Sequence, residues 1–191
     1  MKINNRHKLN LADIITLFRI VGTLTLIAIK PLSVSFLIVY TITGVTDILD
    51  GWIARKTHTQ NERGAKLDSI ADLLFYTVIL LRVFPMLFNV LPNVIWYIVA
   101  LIVIVRVLAY LVAAIKYHQF VALHTYLNKL TGLAVFLIPF ALVTQYATSF
   151  CFVVSAVAAL SSIEELTIHL CSKEYFPNTR SVLHKKNHNP D

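Results

Sequence analysis

At 191 residues, 57% hydrophobic and only 14% charged, the chain is too apolar for a water-soluble globule, which carries about 25% charged residues, or for a disordered segment. Seventeen Lys and Arg against ten Asp and Glu give a net charge of +7. In a membrane protein that excess is the cationic bias of cytoplasmic loops, and nucleic-acid binding is set aside. Cys151 and Cys171 sit in or beside an apolar stretch without CxxC spacing, so neither zinc nor a disulfide framework is implied.

Residues 1–13 are polar and basic, with Lys2, Arg6 and Lys8, and turn apolar at Leu9 and Leu11, the pattern of a short interfacial helix. The start resembles a signal peptide, but Arg19 interrupts the apolar run and no small-x-small cleavage site follows, so it reads as a retained first span over 14–29. Lys30-Pro31 punctuates it. A second span covers 32–55, a polar loop runs to Arg63, and a third span covers 64–84. Pro85, Asn89, Pro92 and Asn93 predict a turn, and a fourth span over 94–116 carries Arg106. The uncharged stretch 130–163 would be ~50 Å long as one helix, against a ~30 Å hydrocarbon core. Thr144-Gln145 and Thr148-Ser149 therefore split it into a fifth and a sixth span. Glu164-Glu165 either is a solvated helix end or faces the site, the former being the preferred reading, and the polar tail with His184 and His188 reads as solvated too.

The expectation is an all-α polytopic membrane protein: an interfacial segment 1–13, a six-helix membrane domain 14–170 and a polar cytoplasmic tail 171–191. Lys and Arg concentrate on the side of both termini, which the positive-inside rule makes cytoplasmic. Lys30 and Arg82 are expected to snorkel on the opposite side. The expected location is a bacterial cell membrane.

Four of the ten acids, Asp47, Asp50, Asp68 and Asp72, fall within 26 residues. Carboxylates in membrane helices are costly and so are functional candidates. Asp47 and Asp50 are i, i+3; Asp68 and Asp72 are i, i+4; each pair shares a helix face. An antiparallel second and third helix bring all four to one depth. Converging carboxylates repel and need a cation, and hard oxygen ligands suit Mg²⁺, Mn²⁺ or Ca²⁺. Two metals would clamp the oxygens of a phosphoryl transfer. The structural alternative is an ion-pair cluster with Arg55, Arg63 and Lys66. Gly51 removes a side chain where a nucleotide could approach, Ala54 lies one turn beyond Asp50, Gly64 lies one turn before Asp68, and Arg55 is placed to meet a phosphate.

The pattern Asp47-x2-Asp50-Gly51-x2-Ala54-Arg55-x8-Gly64-x3-Asp68-x3-Asp72 resembles the signature of the CDP-alcohol phosphatidyltransferase family at all eight positions. The first span is similar to that family's Asn-x2-Thr-x2-Arg element as Asp13-x2-Thr16-x2-Arg19, Asp13 departing from the usual Asn. The resemblance implies transfer of a phosphatidyl group from a CDP-linked lipid, usually CDP-diacylglycerol, to an alcohol with release of CMP. It implies a divalent-metal cofactor, Mg²⁺ or Mn²⁺ as two ions, and a homodimer. It makes Asp47, Asp50, Asp68 and Asp72 metal ligands, with Asp72 also the general base. Asp47, Gly51, Ala54, Arg55 and Gly64 would border the CDP moiety.

The acceptor is read from other spans. Arg106, Lys116 and Lys129 would suit a phosphorylated acceptor such as glycerol 3-phosphate or an inositol phosphate. Leu127-Asn-Lys-Leu-Thr131 looks loosely like a stretch of phosphatidylglycerolphosphate synthases. Leu67-Asp-Ser-Ile-Ala-Asp72 looks more like the form in serine- or inositol-type enzymes. Two other classes stay open: a small cation transporter using the same buried carboxylates, and an inactive membrane scaffold. A cation path gains nothing from Arg55 beside the acids, and all four acids are present.

Overall fold

A computed structural model describes residues 11–56, 62–117 and 125–172. Within them the chain forms seven helices and no strand: α1 (Leu11–Ala28), α2 (Val34–Lys56), α3 (Glu62–Val90), α4 (Asn93–Tyr117), α5 (Tyr126–Phe136), α6 (Ile138–Ala141) and α7 (Ala147–Cys171). The all-α expectation holds for these residues. Three helical stretches, Lys66–Val90, Asn93–Tyr117 and Ala147–Cys171, are long and apolar enough to cross a membrane. Ile14–Ala28 and Val34–Asp47 are shorter apolar helices. Most of the expected interfacial segment and nearly all of the expected tail lie outside the described residues. The chain divides into two compact units, Met1–Asn89 and Val90–Asp191.

In the first unit α1 is patterned inside out. Its buried positions are Thr16, Arg19, Thr23 and Leu26, at spacings of three and four, while Ile14, Phe18, Val21, Leu24 and Ile27 are exposed. A helix in water hides its apolar stripe; one in lipid turns that stripe outward and gathers polar groups inside. Helical hydroxyls are satisfied locally: Thr23 Oγ1 donates to the Arg19 carbonyl at 2.9 Å and Thr41 Oγ1 to that of Leu37 at 2.7 Å. Such back-bonding keeps a hydroxyl paired where no water can reach it.

A tight turn joins α1 to α2. The Ser33 N–H donates to the Lys30 carbonyl at 3.3 Å, and Leu32 follows Pro31 with a left-handed φ of 59°. Ser33 Oγ then accepts from the Phe36 N–H at 3.2 Å and caps α2. Phe36, Tyr40 and Phe75 stack in a row with ring centroids 6.4 and 5.6 Å apart, which ties α2 to α3. The Arg82 guanidinium donates to the Ile29 carbonyl at the end of α1. It thereby satisfies an orphan carbonyl just past the end of α1.

Gly22 of α1 packs tightly against Thr43 of α2. A Cβ there would stand 2.6 Å from Thr43 Oγ1, and Thr43 is itself 2% exposed. Small residues permit such contacts in membrane helices. Gly22→Val is therefore expected to destabilise the protein by about 1–3 kcal/mol through overpacking. Thermal unfolding in detergent checks this, and Thr43→Ala in the same chain should recover most of the loss.

The break expected at Pro85 is also corrected. α3 continues through Pro85 to Val90, and the chain turns at Leu91-Pro92. A single proline removes one N–H, and membrane helices tolerate that.

In the second unit α4 and α5 pack on α7. Ala109 and Ala113 of α4 and Ala147, Cys151 and Ser155 of α7 are buried small residues that let backbones come close. The expected fifth span is broken. α5 ends at Phe136, and Pro139, which has no N–H to return to α5, opens the one-turn α6. The chain then turns at 142–146, where Thr144 Oγ1 donates to the Ala141 carbonyl at 2.8 Å. Thr148 and Ser149, expected in that turn, belong to α7.

Candidate active site

Three helices of the first unit converge on one acidic cluster. Asp47 lies on α2 one turn beyond Thr43, and Asp68 and Asp72 lie one turn apart in the first half of α3. Each offers a carboxylate oxygen, and these oxygens lie within 4.8 Å of one another. Asp50 follows Asp47 by three residues on α2, and Gly51, Ala54 and Arg55 complete that helix, but their side chains lie outside the described residues. Gly64 is half-buried on α3, four residues before Asp68.

The cluster is not left to its own repulsion. Arg19 of α1 enters it from the protein side. One guanidinium nitrogen pairs with Asp47 Oδ1. The other lies 2.5 Å from Asp68 Oδ1, 3.1 Å from the Asp68 carbonyl oxygen and 3.5 Å from Asp72 Oδ1. Burial is unequal: the Arg19 side chain is 1% exposed, while those of Asp47, Asp68 and Asp72 are 40%, 45% and 40% exposed. The cation is a floor, and the carboxylates look outward from it.

A compensating cation was expected, but as metal ions or as Arg55, Arg63 and Lys66. Lys66 is exposed, and the side chains of Arg55 and Arg63 lie outside the described residues. In the sequence Arg19 stands out as a break in the first apolar run and as the last position of the Asp13-x2-Thr16-x2-Arg19 element. Thr16, one turn before it, is 4% exposed; the side chain of Asp13 is not described. The available signal was a lone Arg inside an apolar run, i, i+3 from a Thr. Among the described residues the donor set of the cluster, three half-exposed carboxylates and no nitrogen or sulfur, fits a hard divalent cation.

The second unit holds the other expected residues in a polar core. Arg106 Nε lies 3.2 Å from Ser162 Oγ, and Arg106 Nη2 lies 2.9 Å from Asn128 Oδ1 and 3.5 Å from Ser161 Oγ. Arg106 Nη1 lies 3.9 Å from Glu165 Oε2, to which Asn128 Nδ2 donates at 3.3 Å. Glu165 is 0% exposed, which corrects its reading as a solvated helix end. It lies on the face of α7 that carries Ser161, Ser162 and His169, and burial without Arg106 would be prohibitive. Lys116 Nζ donates to the carbonyls of His169 and Leu170 at 3.0 and 2.9 Å and so caps the end of α7. Lys129 is exposed on α5. His184 and His188 lie outside the described residues.

Comparison with known proteins agrees with the acidic pattern. A curated CDP-diacylglycerol–serine O-phosphatidyltransferase of Methanocaldococcus jannaschii is 34% identical over 73 residues, 38% of this chain and 34% of that relative. The chain thus spans about a third of the length of the relative it matches. No solved structure matches it significantly. The family model for CDP-alcohol phosphatidyltransferase matches residues 9–163, which contain α1 through most of α7 and every acid of the cluster. The chain belongs to the CDP-alcohol phosphatidyltransferase family.

Proposed function

We propose that this protein transfers a phosphatidyl group from CDP-diacylglycerol to a small alcohol and releases CMP. The observation that carries the reading is the convergence of Asp47, Asp68 and Asp72 from two helices, within a chain of this family. In the proposed reaction the acceptor hydroxyl is held against the cluster and its proton passes to Asp72. The oxygen attacks the phosphorus bearing the diacylglycerol, and the bond from that phosphorus to the CMP phosphate breaks. Asp47, Asp50, Asp68 and Asp72 would hold divalent metal, Mg²⁺ or Mn²⁺ as two ions, which supplies neutralisation of the pyrophosphate and of the charge developing on CMP. Asp47, Gly51, Ala54, Arg55 and Gly64 would border the CDP moiety, the glycines by leaving room for it. The half-exposed carboxylates above a buried Arg19 suit a substrate that arrives from one side. The same buried positive charge disfavours a cation pathway through these acids, and the intact cluster disfavours an inactive scaffold.

The proposal includes six membrane crossings, with α1, α2 and the broken α5–α6 supplying the shorter ones. Both termini and the site would face the cytoplasm, as the distribution of Lys and Arg supports, in a homodimer as the family resemblance implies. For the acceptor, the serine enzyme among its relatives and the Leu67-Asp-Ser-Ile-Ala-Asp72 form favour serine over glycerol 3-phosphate. Of the three basic residues proposed to bind the acceptor, Arg106 and Lys116 donate to groups within the second unit, whereas Lys129 is exposed on α5.

The test is CMP release by the purified protein in lipid with CDP-diacylglycerol and Mn²⁺ or Mg²⁺. Serine, glycerol 3-phosphate, inositol, inositol phosphate and phosphatidylglycerol would be offered separately. Metal-dependent release with serine alone is the expected result. Release with another acceptor would keep the reaction and replace the alcohol. Folded protein that neither binds CDP-diacylglycerol nor releases CMP with any acceptor would sink the proposal.

A further inference from the structure

Three negative charges within 4.8 Å would drive α2 and α3 apart unless a cation lay among them. Among the described residues Arg19 is the cation that pairs with all three carboxylates, and it differs from them in three ways. It comes from a separate helix. It is 1% exposed where they are 40–45% exposed. It also binds the backbone carbonyl of Asp68 at 3.1 Å, which fixes its position on α3 independently of the carboxylate charge. Its planar fork distributes two nitrogens between α2 and α3, which a lysine ammonium cannot do.

We infer that Arg19 is the resident counter-cation of this site: a positioning residue that keeps the carboxylates assembled before metal arrives and that lowers their affinity for it. The inference rests on the proposal that these aspartates hold divalent metal. Its physical content is a coupling. Arg19 and a divalent ion share the same carboxylates and repel each other, so each weakens the other's hold, and the effect is reciprocal. Arg19 thereby separates folding of the site from occupancy of the site. Without it, the cluster would assemble only as metal bound.

The experiment compares wild type, Arg19→Gln and Arg19→Lys in detergent. Mn²⁺ binding is read from the electron paramagnetic resonance of the free ion, and unfolding temperature is read in EDTA and in saturating Mn²⁺. The expected result is that Arg19→Gln binds Mn²⁺ about tenfold or more tightly, as removal of a unit charge beside a divalent ion requires even after screening. It should also melt lower in EDTA and gain more from Mn²⁺ than wild type does. Arg19→Lys, which keeps the charge, should bind Mn²⁺ nearly as wild type. Recovery of Arg19→Gln only in the presence of Mn²⁺ would support the inference in its strongest form. Unchanged or weaker Mn²⁺ binding in Arg19→Gln, or equal shifts in both variants, would overturn it while leaving the metal site standing. Equal loss of stability with and without Mn²⁺ would reduce Arg19 to packing. A wild type that binds no Mn²⁺ would remove the metal reading itself, and the inference with it.

Discussion

Asp72→Asn is expected to slow CMP release by about 10²–10⁴-fold, the usual worth of a positioned general base, while CDP-diacylglycerol still binds. Of the three clustered carboxylates, Asp72 is the one least engaged by Arg19. Its Oδ1 stands 3.5 Å from the guanidinium, whereas Asp68 makes a contact at 2.5 Å and Asp47 a closer one. It is therefore the carboxylate whose charge the guanidinium offsets least. Its neighbour Ala71 is 0% exposed and holds this turn of α3 against the protein, so the Asp72 side chain is presented from a fixed backbone. Loss of a ligand and loss of a base can be told apart. If raised Mn²⁺ restores turnover in Asp72→Asn, the residue serves as a ligand. If turnover stays low at saturating Mn²⁺ with donor binding retained, it is the base. Normal turnover at ordinary Mn²⁺ would remove Asp72 from both roles.

The second large effect is expected in the polar core of the other unit. Arg106→Met should destabilise the protein by about 3–5 kcal/mol, because it leaves the fully buried Glu165 carboxylate without its cation. Asn128 Nδ2 still donates to that carboxylate at 3.3 Å, but an amide cannot neutralise it. The double variant Arg106→Met with Glu165→Leu removes both charges and should recover most of the loss, since an apolar pair of similar volume costs little in a buried site. Unfolding of single and double variants in mixed micelles provides the measurement. Single and double variants that all melt with wild type would show that the pair does not anchor α4 to α7. Turnover in the double variant adds a second reading. Activity retained at wild-type KM would confine Arg106 to architecture, whereas a raised KM for one acceptor would return it to acceptor binding.

Much of this protein was legible in its residues. Composition and apolar run lengths announced a helical membrane chain, because lipid leaves a spanning segment few ways to satisfy its backbone. The acids were legible because i, i+3 and i, i+4 spacing is a local property of a helix, and a carboxylate in an apolar run is conspicuous. Helix ends were less so. Pro85 looked like a stop and was passed through, while Pro139 looked unremarkable and broke the fifth span. A proline's effect depends on which neighbours can take up the freed carbonyl, and those neighbours are set by packing rather than by the adjacent sequence.

The chain by itself determined its class, its family signature and the identity of the clustered acids. The tertiary structure alone decided who neutralises whom. Arg19 stands 28 residues from Asp47 and 49 from Asp68 in sequence, and Arg106 stands 59 from Glu165. No periodicity links such positions. Arg19 looked like one more charge to be tolerated, and Glu165 like one to be solvated, until the helices that carry their partners were placed beside them. The physical reason is that a buried charge is stable only as part of a pair, and pairing across helices is a property of their packing, not of any one of them.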